Sequence, residues 1–312
     1  VSTQSTGIML KFILIVTVLS CLWFYYLTRP VNLKKYKCKY AVVTGSTGGC
    51  GSELVSQLMQ QDMHVIVVAR NMKEMTKQVD QYPGKVLAFQ FDFSEDLNTF
   101  APKFTAFMES NKIKREEIGL CYSNAGYGEY RAYHATTLEH KSKFMQVNLD
   151  SHVCVADFFI KLFVERSKQK MKSGFVFTSS ACAHMPGRYF QLYHTAKNAV
   201  SSLGNALYAE YFCHKIDVLV VHPSAVSQTK FYQHEDIKVA GKKIPIVSDI
   251  ENSIIAVTPK QVVNRMMTRL GKENVVQVGW AAVGAALVSV LGRNVNGFIW
   301  SILGFNQKLV DE

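Results

Sequence analysis

The chain has 312 residues, 48% of them hydrophobic, and a formal net charge of +11. That apolar share excludes a disordered chain, and the length allows one large α/β core plus an appendage. The basic balance suits an anionic membrane surface, an anionic substrate or nucleic acid, while seven scattered cysteines without CxxC spacing argue for a reducing compartment and against a disulfide frame or a zinc site.

Residues 1–7 are polar and uncharged, and residues 12–27 carry no charge at all. Together with residues 8–11 this run approaches the ~20 residues that cross a bilayer. Trp23, Tyr25 and Tyr26 lie at one end, as interfacial aromatics do, and Arg29, Lys34, Lys35, Lys37 and Lys39 follow. The spacing predicts a transmembrane anchor over residues 1–30 with its C-terminal side in the cytosol. A cleaved signal peptide fits less well, because a basic leader and a small-x-small site are missing. Membrane-proximal lysines account for the basic run without a nucleic-acid partner.

Residues 40–51 (Tyr-Ala-Val-Val-Thr-Gly-Ser-Thr-Gly-Gly-Cys-Gly) form the stretch around which the rest is organised. They read as a strand, a glycine-rich turn and the start of a helix that continues with apolar residues at helical spacing. Such a turn brings backbone close to a pyrophosphate, and the helix N-terminus offers N–H donors. Gly45, Ser46, Thr47, Gly49 and Gly51 are the candidate contacts. Residues 64–70 read as a second strand. At its end, where an acid would bind the ribose hydroxyl of NAD, stand Ala69, Arg70 and Asn71. A cation without an acid suits the 2′-phosphate of NADP.

Residues 85–91 are a third strand. Asp92 after it either touches adenine or caps the helix that follows. Residues 98–110 are amphipathic, and residues 118–122 are a fourth strand. Its small-residue exit, Ser123, Asn124, Ala125 and Gly126, leaves room for a ligand. Residues 137–168 read as one long helical region with Asn148 inside it, where asparagine is unfavourable without a job for its amide. A fifth strand over 174–178 closes on Ser179 and Ser180. Tyr193 and Lys197 follow, four residues apart and on one face of a helix. A sixth strand over 217–221 ends at His222, Pro223 and Ser224. This βαβ rhythm predicts a doubly wound parallel sheet of Rossmann type, with its site at the carboxyl ends of the strands.

The set Thr44-Gly45-x-x-x-Gly49-x-Gly51, Asn124-Ala125-Gly126, Asn148, Ser180, Tyr193-x-x-x-Lys197 and Pro223-x-x-Val226 resembles the short-chain dehydrogenase/reductases over about residues 39–229. Within them it is most similar to the membrane-bound branch of 17β-hydroxysteroid dehydrogenases and very-long-chain 3-oxoacyl-CoA reductases. The anchor, Ala69-Arg70, Phe91-Asp92-Phe93, Ile118-Gly119-Leu120 and the run Glu165-Arg166-Ser167-Lys168 carry that finer likeness. Cys50, Ser123, Ser224 and Gln228 depart from the usual pattern, with Thr229 next to Gln228.

The resemblance implies NADPH, a site on the endoplasmic reticulum membrane with the catalytic domain in the cytosol, and room for a homodimer. It also implies roles. Tyr193, a phenol with an ordinary pKa near ~10, donates a proton to the carbonyl oxygen. Lys197 favours the phenolate and holds the nicotinamide ribose. Ser180 bonds the substrate oxygen, and Asn148 holds a water that links Lys197 to bulk. Pro223, Val226 and Thr229 border the cofactor. His184, His194 and His222 read as packing or surface residues.

Residues 229–249 are expected to be a loop over the substrate. Its Lys230, Lys238, Lys242 and Lys243 either meet a CoA phosphate or form a solvated face. Residues 258–267 read as a helix with proline in its first turn. Residues 275–291 are apolar, followed by Arg293, Asn294 and a second apolar run over 298–305. They suggest a membrane hairpin or a packed helix, with Trp280 and Trp300 favouring membrane contact. The expected division is an anchor over 1–30, a Rossmann-fold domain over 31–270 and an apolar appendage over 271–312. The expected activity is reduction of a lipid ketone. A long-chain 3-oxoacyl-CoA comes first, then a 17-oxosteroid or 3-ketosphinganine. A non-catalytic protein that binds lipid or a partner is the competing class.

Overall fold

The computed structural model describes residues 2–185, 187, 189–229, 231, 238–239, 242–243 and 256–290; at 2–11, 238–239, 242–243 and 290 only the backbone is described. Seven strands form one parallel sheet. They are β1 (Tyr40–Thr44), β2 (His64–Ala69), β3 (Val86–Gln90), β4 (Ile118–Ser123), β5 (Ser173–Thr178), β6 (Ile216–Pro223) and β7 (Val275–Val278). Their order is β3-β2-β1-β4-β5-β6-β7. Valine, leucine, isoleucine and phenylalanine dominate because helices cover both faces of the sheet, so there is no polar alternation.

The helices are α1 (Ser2–Thr28), α2 (Gly49–Gln60), α3 (Met72–Gln81), α4 (Phe100–Ser110), α5 (Leu138–Met145), α6 (Ser151–Lys168), α7 (Gln191–Tyr211), α8 (Pro259–Arg269) and α9 (Trp280–Val290). Successive strand residues point to opposite faces. Ala41 and Val43 therefore pack with Leu54, Leu58, Val262 and Met266. Tyr40 and Val42 belong to a phenylalanine-rich layer with Phe100, Phe104, Phe159 and Phe163. The chain passes to one side of β1 and then to the other to form β4, so a crevice opens between the carboxyl ends of those two strands.

Three expectations change. The long helical region is broken: α5 and α6 are separated by a π-helical turn at Gln146–Asp150, a form concentrated at functional sites. The apolar stretch from Val275 is not one segment. Its first four residues pair with β6, from Val220 with Val275 to Pro223 with Val278. The chain then turns at Gly279, φ +95°, into α9. The sheet thus runs past the expected boundary at residue 270. Residues 298–305, Arg293, Asn294 and Trp300 lie outside the described residues, as does most of the loop at 229–249.

Among the described residues no helix is long and apolar enough to cross a membrane. The side chains described in α1 run from Phe12 to Thr28, short of the ~20 residues a span needs, and the contribution expected of residues 8–11 lies outside them. Nearly every described side chain of α1 is exposed, including Phe12, Leu14, Leu19, Trp23 and Phe24. Its C-terminal end is tied down. Lys272 Nζ donates to the Tyr26 and Arg29 carbonyls at 2.6 Å each, and Val31 N–H donates to the Met267 carbonyl at 2.9 Å. Tyr36 in the next turn is fully buried. Its hydroxyl donates to Asp217 at 2.8 Å, and its carbonyl accepts from the buried Arg166 at 2.6 Å.

Candidate active site

The glycine turn begins with Gly45 at φ +63°. A Cβ on Gly45 would stand 2.9 Å from Ala125 Cα, and one on Gly51 would run into the Gly45 carbonyl oxygen. Glycine is therefore required at both places for the turn to fold back on α2 and against β4. Across the crevice, Thr44 Oγ1 accepts from the Asn124 and Ala125 N–H groups at 2.9 and 3.0 Å. Ser46 is fully buried, and among the described residues its Oγ has no hydrogen-bond partner. Thr47 is half-buried beside it. This cradle, open at the N-terminus of a 12-residue helix, fits the pyrophosphate of a dinucleotide.

Pro223 ends β6, and Val226 bridges to Val257. Gln228 adopts φ +57° and is exposed. That reversal turns the next residue inward. A Cβ on Gly49 would lie 2.6 Å from the Thr229 methyl, so Thr229 rather than Gln228 meets the glycine turn. Arg70 is exposed at the end of β2. It lies close enough to Tyr127 for its charge to oppose the upward push that burial gives that phenol. Asp92 holds its own turn, accepting from Ser94 N–H and Oγ at 2.9 and 2.8 Å. It caps no helix: Asp96 caps the 3-10 turn that follows, and Thr99 stands at the start of α4.

The other predicted residues meet at the same edge. Ser180 follows β5, and its Oγ accepts from Cys182 N–H at 3.2 Å. Its side chain also hydrogen-bonds Tyr193. Tyr193 and Lys197 occupy successive turns of α7 and are 6% and 3% exposed, which removes both from bulk water. Lys197 Nζ donates to the Thr178 carbonyl at 3.0 Å and lies 5.6 Å from the Tyr193 ring centre. Asn148 projects from the π-helical turn. It donates to the Phe144 carbonyl at 3.1 Å and accepts from Tyr127 N–H at 3.0 Å. A Cβ on Gly126 would stand 2.9 Å from Asn148 Oδ1 and 3.3 Å from Lys197 Nζ, so Gly126 joins the two halves of the site.

Burial pushes the Tyr193 phenol well above its ordinary value, against the hydrogen bond from Ser180. Burial also lowers Lys197 to about 8. Lys197 Nζ lies 5.6 Å from the ring centre, and burial is the largest influence on the phenol, favouring its protonated form.

Sequence reasoning missed two groups. An aromatic wall surrounds the phenol: Phe190 stacks between Tyr130 at 4.2 Å and Tyr193 at 4.4 Å, and Phe231 meets Tyr193 at 5.4 Å. Tyr127 and Tyr130, soon after Gly126, were its only local sign. His152, fully buried, has Nδ1 at 2.7 Å from Ser123 Oγ. Its signal was the spacing of four from Asn148. The other histidines pack as expected. His222 bonds Ser201 at 2.9 Å, and burial pushes it down to about 3. His184 lies against His222 with ring centres 4.6 Å apart, and His194 Nδ1 meets the Cys182 carbonyl at 2.7 Å.

The chain is similar to a very-long-chain 3-oxoacyl-CoA reductase-like protein of Arabidopsis thaliana, 27% identical over 210 residues, 65% of this chain and 64% of that protein. It is also similar to the 3-ketodihydrosphingosine reductase TSC10 of Cryptococcus neoformans, 23% identical over 229 residues, 71% of this chain and 65% of that one. The match thus spans less than two thirds of each relative's length. A short-chain dehydrogenase from Streptomyces avermitilis shares the fold, with a TM-score of 0.68 and 18% identity over 87% of this chain and 98% of that one. A family profile described as short chain dehydrogenase matches residues 39–238, which take in the glycine cradle, Asn148, Ser180, Tyr193 and Lys197. The chain belongs to the short chain dehydrogenase family.

Proposed function

We propose that this protein reduces a ketone on a lipid substrate with NADPH. The observation that carries the reading is the buried Ser180–Tyr193–Lys197 group, with Asn148, at the same sheet edge as the glycine cradle. A carbonyl that gains a hydride gains negative charge on its oxygen. It then needs a hydrogen-bond donor and a proton. Ser180 supplies the first and Tyr193, held protonated by burial, the second. NADPH supplies the hydride when bound. Residues 45–51, Asn124, Ala125, Gly126 and Thr229 would hold it, and Arg70, with no acid beside it, suits its 2′-phosphate.

The named relatives support a lipid ketone, since 3-oxoacyl-CoA and 3-ketodihydrosphingosine both carry a ketone on a long chain. A long-chain 3-oxoacyl-CoA of fatty-acid elongation is the substrate we propose. The exposed apolar side chains of α1, the basic residues after it and the 85% exposed Trp280 of α9 support membrane attachment. The same reading places the protein on the endoplasmic reticulum, with the catalytic domain in the cytosol, and as a homodimer.

The test is NADPH oxidation by detergent-solubilised protein, wild type beside Tyr193→Phe. The panel is a long-chain 3-oxoacyl-CoA, a 17-oxosteroid and 3-ketosphinganine, each repeated with NADH. Turnover of the acyl-CoA that Tyr193→Phe abolishes is the expected result. Turnover confined to another member moves the substrate. Failure to bind NADPH would leave the non-catalytic, lipid- or partner-binding reading.

A further inference from the structure

Asn148 and His152 stand about one helical turn apart, so both side chains face the chain leaving β4. Each holds one end of it: Asn148 Oδ1 accepts from Tyr127 N–H at 3.0 Å, and His152 Nδ1 pairs with Ser123 Oγ at 2.7 Å. From the other side Thr44 Oγ1 accepts from Asn124 and Ala125 at 2.9 and 3.0 Å. Residues 123–127 are thus pinned at both ends and in the middle, and Lys197 Nζ lies against Gly126. His152 is fully buried, and besides Ser123 its ring hydrogen-bonds the Ala125 backbone. Burying an imidazole is costly, and an aliphatic side chain would fill the space without that cost. Burial and the Lys197 charge together keep the ring neutral. Ser123, which departs from the family pattern, is the hydroxyl this imidazole needs.

We propose that His152, acting through Ser123, is a positioning residue that sets residues 123–127 against Lys197 and against the cofactor side of the glycine cradle. The inference rests on the proposed use of NADPH. Its test uses the full chain in detergent and three readouts: NADPH affinity by fluorescence titration, turnover, and thermal unfolding. In His152→Leu, NADPH binding weakens about tenfold, the scale of one lost buried hydrogen bond, and turnover falls at least as far. The unfolding temperature falls modestly, because the buried Ser123 Oγ loses its partner, so affinity is compared on folded protein. His152→Asn, which can still accept from Ser123, recovers most of the affinity. Ser123→Ala matches His152→Leu, and the double variant is no worse than either, as for two members of one contact.

Affinity and turnover within twofold of wild type in both His152→Leu and Ser123→Ala would overturn the role. An Asn variant as weak as the Leu variant would overturn it too. Should His152→Leu not fold, Ser123→Ala, which removes one hydroxyl, decides alone. A wild type that fails to bind NADPH overturns the reading of the site itself. A wild type that binds it beside unaffected variants overturns only the positioning role.

Discussion

Gly51→Ala tests whether the glycine cradle is rigid. The added Cβ would run into the Gly45 carbonyl oxygen, with Ser46 Cα at 2.8 Å and the Gly45 carbonyl carbon at 2.9 Å. All three are backbone atoms and cannot rotate away. Gly45 cannot retreat either, because it sits at φ +63° with Ala125 close behind it. Alanine gains up to ~1 kcal/mol of helix propensity over glycine inside a helix, whereas forced overpacking costs about 1–3 kcal/mol. If the turn is rigid, the second effect wins and the unfolding temperature falls by several degrees, at about 2–4 °C per kcal/mol for a domain of this size. NADPH affinity falls with it, since displacing the turn displaces the N–H groups aimed at the pyrophosphate. The control is Gly48→Ala, three residues earlier. Its Cβ would meet only the Gly45 oxygen, at an ordinary 3.6 Å, and its φ of −84° suits any residue. It should stay within ~0.5 kcal/mol of wild type. Calorimetry and fluorescence titration on both variants decide. Equal melting temperatures and equal affinities would show that the cradle yields.

Arg70→Ala should weaken NADPH about 10–100-fold and leave NADH almost unchanged, because a charged hydrogen bond to phosphate contributes ~1.5–3 kcal/mol; parallel titrations with the two cofactors read it. Lys197 titrates near 8 in the fold against ~10.4 when unfolded. Between those values the unfolded chain binds one more proton at this site, so the Lys197 contribution to stability rises with pH. Lys197→Met should remove that contribution, so the stability difference between wild type and variant, read by denaturant unfolding at a series of pH values, grows in favour of wild type as pH rises through this window, and turnover should be lost. Arg166 donates to the Tyr36 and Lys172 carbonyls at 2.6 and 3.1 Å and to Ser173 Oγ at 2.9 Å, and also to the Glu116 carbonyl. Arg166→Met strands those acceptors and should cost ~3 kcal/mol or more. NADPH affinity of the folded fraction should not change, because the network lies at the edge of the sheet opposite the cradle.

What was legible in the sequence is what local chemistry writes there. Strands buried on both faces leave unbroken apolar runs, and the glycine turn, Ser180 and the Tyr193–Lys197 pair fall at strand ends or on one helix face. The π-helical turn at Asn148 was half legible: the asparagine stood out as unfavourable, but a single extra residue in a helix leaves no periodic mark. β7 was hidden because its four residues, Val275–Val278 with Gln277 among three valines, were too short to stand apart from the small apolar residues of α9 that follow. His152 and Ser123 lie 29 residues apart, so their contact exists only once β4 and α6 pack. The Lys197 shift has the same origin, since burial is a property of the assembled fold.

Burial acts on the two titrating groups of the site in opposite directions on their pKa values and with the same effect on their charge. It raises Tyr193 and lowers Lys197, and in each case the neutral form gains. With Lys197 near 8, most molecules at pH 7 carry a charged lysine beside a neutral tyrosine. That state holds the proton the proposed ketone reduction needs. The reverse reaction would start from a phenolate, the state burial opposes most. Lys197 Nζ meanwhile donates to the Thr178 carbonyl at 3.0 Å. The Ser180 hydrogen bond works against burial but does not overcome it. The residues that pack around the phenol, Phe190 and Phe231 foremost, therefore help keep it protonated.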